Sequence, residues 1–419
     1  MKINSLAVKN IFQMGIIQLI NYAFPLVTVP YLLRTIGVSN YGLLSVEISI
    51  VQILLILSDY GFAFTATQKI ALNKKIDNQL VSIIYSFKAI IGSVILLMYI
   101  ILITVSSFSV KTIIFHLGFF LFFQSQSLIP VWLFRGLNKL WYVSFLTILT
   151  KILTLILMLL FVRTKNDFYL LGIVYALPTI LTCVIAQLFG RRLGVKFEKV
   201  KVSSFIGELK EGKDIFISNA VGTLYTSLNT VIVSFFGGSY AAGIYATCEK
   251  VVGVINSLTN AVSQAVYPIV CKKIVEVRTR KGQIRVPFKY FGWWVICTFI
   301  GGLLIIILAP VILEIITGKK QTGSQILTLQ IMSFIPFLIS LGHLLGIQTL
   351  IPLNNKTSVR VAVTYGAVTN ITLGMILSYF IHAPGTALAI VACELVVVVK
   401  ELYSINSYLK YEKGEAKFD

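Results

Sequence analysis

The residues that could do chemistry in this chain are charged side chains embedded in long apolar runs. Lys151 lies in "LTKILTLI", Lys250 follows Glu249, and Lys88 lies in "YSFKAIIG". Glu47, Asp59, Glu249 and Glu394 are the acidic counterparts. A charged side chain at the centre of a membrane-spanning helix costs about 2.5–3.5 kcal/mol on insertion scales, so one that is kept must face a wet cavity or a partner. Lysine and arginine lining such a cavity would hold an anion: a unit pair at about 4 Å is worth roughly 4 kcal/mol at an effective dielectric near 20. Arg34 and Arg135 close apolar runs and fit either interface anchors or further cavity cations. Lys88, two turns from a run's end, is expected to snorkel. The carboxylates Glu47, Asp59, Glu249 and Glu394 are candidates for ion coupling, with structural ion pairs as the other reading. Basic and acidic groups nearly balance, so the lean towards an anion is modest.

Other chemistries find no support. No phosphate-binding glycine loop, nucleophile elbow or metal-ligand cluster is written in the sequence, and neither a metal nor a cofactor is expected. His116, His343 and His382 have no carboxylate nearby in sequence and read as polar residues near an interface. Cys183, Cys248, Cys271, Cys297 and Cys393 fall in or beside apolar runs, which argues for small buried side chains over disulfides or zinc.

The elements that must position these groups are membrane helices. Of 419 residues, 57% are hydrophobic and 12% charged, whereas soluble domains have about 45–50% and 25%. About 20 apolar residues span a bilayer as a helix. Runs of that kind occupy approximately 10–33, 42–66, 81–105, 112–134, 143–163, 168–189, 214–236, 242–266, 288–308, 325–350, 358–380 and 385–406. The apolar residues are continuous rather than alternating, which excludes a β-barrel. The run after Lys2 and Lys9 is too long for a signal peptide's core and reads as the first span. The net charge of +20 could indicate nucleic acid, but the basic residues sit in short loops, and no nucleic-acid partner is expected. Of the 36 lysines and arginines about 27 fall on the side of the N-terminus and 6 on the other, which places both termini in the cytoplasm.

The longest polar stretch separates two sets of six spans. The expected organisation is an N-terminal bundle over 1–190, a cytoplasmic linker over 191–213 and a C-terminal bundle over 214–419, with a central cavity. A weak repeat, "GVSNYG" from Gly37 and "GSYAAG" from Gly238, each followed by an acidic residue (Glu47, Glu249), supports the halving. Pro25, Pro30, Pro130, Pro178 and Pro336 mark places where spans can bend.

Several stretches resemble the O-antigen and polysaccharide-unit flippases, the Wzx-type members of the multidrug/oligosaccharidyl-lipid/polysaccharide exporter superfamily. They are "NYAFPLVTVPYLLRTIGVSNYGLLSVEISIVQILLILSDYGFAFTATQKIA" from Asn21, "PVWLFRGLNKLWYVSFLTILTKIL" from Pro130, "LKEGKDIFISNAVGTLYTSLNTVIVSFFGG" from Leu209 and "QAVYPIV" from Gln264. The last third matches in hydropathy alone. The resemblance implies a fold like that of the multidrug and toxin exporters (MATE-like): about twelve helices in two six-helix bundles, working by alternating access. The implied cargo is an undecaprenyl-pyrophosphate-linked oligosaccharide, flipped to the outer leaflet of the bacterial inner membrane. Polysaccharide polymerase and chain-length proteins are implied partners besides the membrane lipids. Carried over by position, Arg34, Arg135, Lys151 and Lys250 are the cavity cations and Asp59 the coupling group. Arg135 stands where relatives often have glutamine in "WxFQG". The rival readings are an exporter of small cations on the same scaffold and a membrane glycosyltransferase or polymerase; the latter would need a catalytic loop that this chain lacks.

Overall fold

The computed structural model describes residues 20–415 apart from Tyr22, Ser107 and Thr322, and describes their side chains except those of Ser218, Val221, 223–226 and 411–415. Expectations concerning Lys2, Lys9, Tyr22, Lys417 and the first ten residues of the first run lie outside these residues. Every element described is helical. They are α1 (23–35), α2 (Gly37–Asp59), α3 (Phe62–Asn73), α4 (Asn78–Val105), α5 (Val110–Leu128), α6 (Val131–Gly136), α7 (Leu140–Phe161), a 3₁₀ turn (Lys165–Leu170) and α8 (Leu171–Arg192). There follow α9 (Val202–Glu276), α10 (Arg280–Thr317), α11 (Ser324–Met332), α12 (Ile335–Gly342), a π-helical stretch (His343–Leu350) and α13 (Lys356–Glu415). Among the described residues eight helical segments are long and apolar enough to cross a membrane. The chain is a multi-pass membrane protein.

The expected runs map onto these helices with several differences, among them the run over 112–134, which is divided between α5 and α6. The run over 42–66 is two helices, because Tyr60 (φ 46°) and Gly61 (φ 86°) turn left-handed between α2 and α3. Glycine adopts that conformation at no steric cost. The runs over 214–236 and 242–266 share α9, whose backbone leaves helical geometry at Gly238 (φ 73°). Similarly, 358–380 and 385–406 share α13 across Ile381 and His382, just ahead of Pro384. In the run over 325–350 the backbone changes form twice, α11 giving way to α12 and α12 to the π-helical turns.

The chain divides into two compact units, Met1–Ser227 and Leu228–Asp419. In the first, α5 and α8 meet so closely that a methyl group on Gly118 would overlap the backbone of Gly172. Small residues that allow such approach are what hold helices together where lipid removes the hydrophobic drive. Phe62, Phe87, Trp132 and Leu133 form a buried cluster where α3, α4 and α6 pack. The beginning of α9, which includes the last residues of the expected linker, runs against the α2–α3 break. A Cβ on Gly61 would lie 2.9 Å from the Gly212 carbonyl oxygen, Tyr60 stacks on Phe216 at 4.6 Å, and Lys69 pairs with Glu208 and Glu211, each at 2.7 Å. Partial burial opposes the charge on Lys69, but its bonds to the two glutamates prevail and raise its pKa above the usual lysine value.

In the second unit, Trp294 donates to Thr259 Oγ1 at 3.0 Å and Gln348 Nε2 to the Ser263 carbonyl at 2.8 Å, tying α10 and the π-helical turns to α9. Ile296, Ile300, Leu304, Ile307, Val311 and Ile315, spaced three or four apart on α10, are all exposed. That spacing makes one apolar stripe, which a bilayer would cover.

Candidate functional site

The first unit encloses a cavity of about 480 Å³ built by six helices. Its walls include Asn21, Phe24 from α1, Gln52 and Leu55 from α2, Phe122 and Gln126 from α5, Arg135 from α6, and Tyr175 from α8. The largest share comes from α7, where Thr147, Thr150, Lys151 and Thr154 all line it. Spacings of three and four residues put those side chains on one helix face. Lys151 lies eleven residues from the start of α7, roughly 16 Å along the axis at 1.5 Å per residue. Its ammonium stands over the Phe24 ring, 4.3 Å from the centroid, a cation–π contact that steadies the group without neutralising it. The threonine hydroxyls give their protons to carbonyls one turn back, Thr147 to Val143, Thr150 to Leu146 and Thr154 to Thr150, each at 2.8 Å.

The lining contains two cations and no carboxylate. Arg135 offers a planar fork of donors and Lys151 a point charge, and both suit phosphate oxygens. The amides of Gln52 and Gln126 and the Tyr175 hydroxyl add neutral polar groups that suit sugar hydroxyls or water.

A second cavity of the same unit, about 380 Å³, carries the opposite sign. Ile56, Asp59, Gly61 and Phe64 line it from the α2–α3 break, and Phe216, Asn219 and Gly222 from α9. The Ala63 N–H reaches Asp59 Oδ2 at 3.4 Å. Lys88 and Arg135 act on this carboxylate electrostatically.

Lys88 corrects the sequence reading. Instead of snorkelling it is 5% exposed, and its ammonium donates to the Ser127 carbonyl at 2.5 Å. A bulky α4 neighbourhood and a free backbone acceptor at the end of α5 hold it inside. His116 is a second correction: its Nδ1 lies 2.7 Å from Glu47 Oε1. The carboxylate absent from its sequence neighbourhood comes from α2 instead.

The remaining candidates do not join the cationic cavity. Arg34, at the end of α1, is exposed and is not among its walls. Lys250 belongs to the second unit, with its side chain 48% exposed and its ammonium 3.8 Å from Glu249. Glu394 is buried on α13, and Glu401, two turns further along, is 2% exposed. Glu401 was not expected as an interior group because it follows Lys400 near the end of the last apolar run. Among the described residues no group of three or more His, Cys, Asp or Glu could hold a metal ion.

Comparison with known proteins agrees with this architecture. The family model described as "Polysaccharide biosynthesis protein" matches residues 7–273. A protein of Escherichia coli (strain K12) named "Putative O-antigen transporter" is 27% identical over 407 residues, covering 95% of this chain and 96% of that protein. Among solved structures, the lipid II flippase MurJ in an inward closed conformation superposes with a TM-score of 0.70 at 16% identity, covering 95% of this chain and 87% of that one. An inward-facing MATE family multidrug resistance transporter of the MOP superfamily gives 0.63 at 13% identity, covering 97% and 99%. At these identities the two structures speak for the fold alone.

Proposed function

Because the chain belongs to the polysaccharide biosynthesis protein family, we propose that it is a flippase for an undecaprenyl-pyrophosphate-linked oligosaccharide unit. In this reading it carries the unit from the inner to the outer leaflet of the bacterial cytoplasmic membrane. It is a transporter and not an enzyme, works by alternating access of two six-helix bundles, keeps both termini in the cytoplasm, and is driven by an ion gradient. Polysaccharide polymerase and chain-length proteins are its functional neighbours.

The observation that carries the proposal is the cavity with Arg135 and Lys151 on its walls and no carboxylate among them. A pyrophosphate brings several anionic oxygens to such a site, and in a low-dielectric surrounding each charge-assisted bond counts for more than in water. An exporter of small cations would require the opposite lining. The hydroxyls and amides of Thr147, Thr150, Gln52 and Gln126 would meet the sugars, while the isoprenoid tail stays in the bilayer.

The test is genetic. Deletion is expected to abolish surface polysaccharide and to accumulate lipid-linked units on the cytoplasmic face. Arg135→Ala and Lys151→Ala should each lower export at least about tenfold, the equivalent of one charge-assisted hydrogen bond, with normal protein levels in the membrane. Wild-type polysaccharide in both variants would remove the cavity from the mechanism.

A further inference from the structure

Glu47 and His116 form a site that neither the cavity nor the packing of the first unit requires. The Glu47 carboxylate is 6% exposed. His116 Nδ1 lies 2.7 Å from its Oε1, while Oε2 is buried without a hydrogen-bond partner in good geometry. Around the imidazole stand Tyr99 at 6.5 Å, Phe108 at 5.5 Å and Phe115 at 5.5 Å between ring centroids. Facing the carboxylate are His116 from α5 and Tyr99 from α4. The charged groups of the 3₁₀ turn and its surroundings are engaged elsewhere. Lys111 lies over the Tyr169 ring, Lys165 packs at Gly37, and Asp167 closes a capping box with Thr164. From α8, Tyr175 faces Tyr41 on α2.

A buried carboxylate beside an imidazole is held by one proton. With the imidazolium, Nδ1–H donates to Oε1 and the pair is neutral. When Nε2–H leaves as a proton, the neutral ring still donates through Nδ1, and the carboxylate is left as an uncompensated buried charge. The two states therefore favour different surroundings, which is what a switch needs. A sodium ion would want several oxygen ligands, and beyond the carboxylate and the Tyr99 hydroxyl these rings and the imidazole supply none.

The pair also sits on the two helices that matter. α2 continues from Glu47 to Gln52 and Leu55, and α5 from His116 to Phe122 and Gln126, all of them cavity walls. Five residues on α2 and six on α5 are roughly 8–9 Å of helix. We propose that Glu47 and His116 are the proton-carrying site of the transport cycle, loaded on one side of the membrane and emptied on the other as α2 and α5 shift beside the cationic cavity. This rests on the flippase reading and names its coupling ion.

The test complements a deletion strain with Glu47→Gln, His116→Gln and Glu47→Asp, scoring surface polysaccharide and membrane protein. Coupling between sites is commonly worth 5- to 150-fold, so the first two variants should lose at least about tenfold in export at normal protein levels, and Glu47→Asp should regain part of it. A proton uncoupler should stop wild-type export, and sodium depletion should not. If the deletion strain lacks polysaccharide but both variants restore it, this inference falls and the flippase reading stands. A deletion strain with normal polysaccharide would instead end that reading. Should the variants fail to accumulate, wild-type export that survives the proton uncoupler, or that depends on sodium, would overturn the proposal.

Discussion

Among the described residues the buried charges of the first unit have both signs, whereas those of the second are carboxylates. In the first, Lys88 and Glu47 are buried, Lys151 is half-buried and Arg135 exposed at the cationic cavity, and Asp59 borders a separate cavity. In the second, the buried ionisable groups of α13 are Glu394 and Glu401, and Glu401 lies against Gly342 at the end of α12 and Gly346 of the π-helical turns. The contrast teaches that burial alone does not mark a binding group. Lys88 is the most buried of the three cations, yet the Ser127 carbonyl accepts from its ammonium, so it belongs to the scaffold. Arg135 and Lys151 border open volume. Glu401, similarly, is packed against backbone and borders no cavity described above.

Three substitutions can break or sharpen this comparison. The largest effect is expected from Lys88→Met, which leaves the buried Ser127 carbonyl without its donor and removes a cation that acts on Asp59; it should destabilise the protein by about 1–3 kcal/mol, the usual cost of leaving a buried acceptor unpaired. Adding Asp59→Asn should recover part of that loss in a thermal-unfolding double-mutant cycle. If the two substitutions add independently, Lys88 is not a structural partner of Asp59. Next, Gly346→Ala would drive a methyl group into the Glu401 carboxylate. A cost of about 1–3 kcal/mol is expected for such overpacking, and Glu401→Ala in the same chain should relieve it. Persistence of the loss in the double variant would show that the π-helical turns tolerate no Cβ for some other reason.

The smallest effect belongs to the surface clamp. Bonds from Glu208 and Glu211 outweigh burial and raise the Lys69 pKa above its usual 10.5. A raised lysine contributes stability that is fully present below 10.5 and is lost as pH climbs through the higher folded-state value. Lys69→Gln should therefore cost about 1 kcal/mol or less near neutral pH. Its difference from wild type should vanish in strongly alkaline buffer, which urea titrations at several pH values would reveal.

Continuous apolar runs made most of the fold legible. The expected spans 81–105, 143–163 and 168–189 end within a few residues of α4, α7 and α8. The break at Tyr60 and Gly61 was hidden because "SDYGFAF" is apolar on both sides, so hydropathy passed over a change of backbone direction. The turns expected near Gly238 and between 380 and 385 exist as local departures from helical geometry within longer helices, which composition cannot distinguish from loops. Within the site, insertion cost singled out Lys151 and Glu47 as needing surroundings other than lipid. It could not show that Arg135 shares a cavity with Lys151, nor that Glu47 meets His116, because those neighbours lie on different helices and follow no fixed spacing. The same limit produced the opposite error at Lys88, where distance from a run's end suggested snorkelling and the fold supplied a buried acceptor.

The central claim is that Arg135 and Lys151 hold the pyrophosphate of a lipid-linked sugar. It is tested most directly by titrating undecaprenyl pyrophosphate into the purified protein in nanodiscs, wild type beside the Arg135→Ala/Lys151→Ala variant. The account predicts saturable binding that weakens at least about tenfold in the variant and fades with added inorganic pyrophosphate. Equal affinity in the two proteins would contradict it.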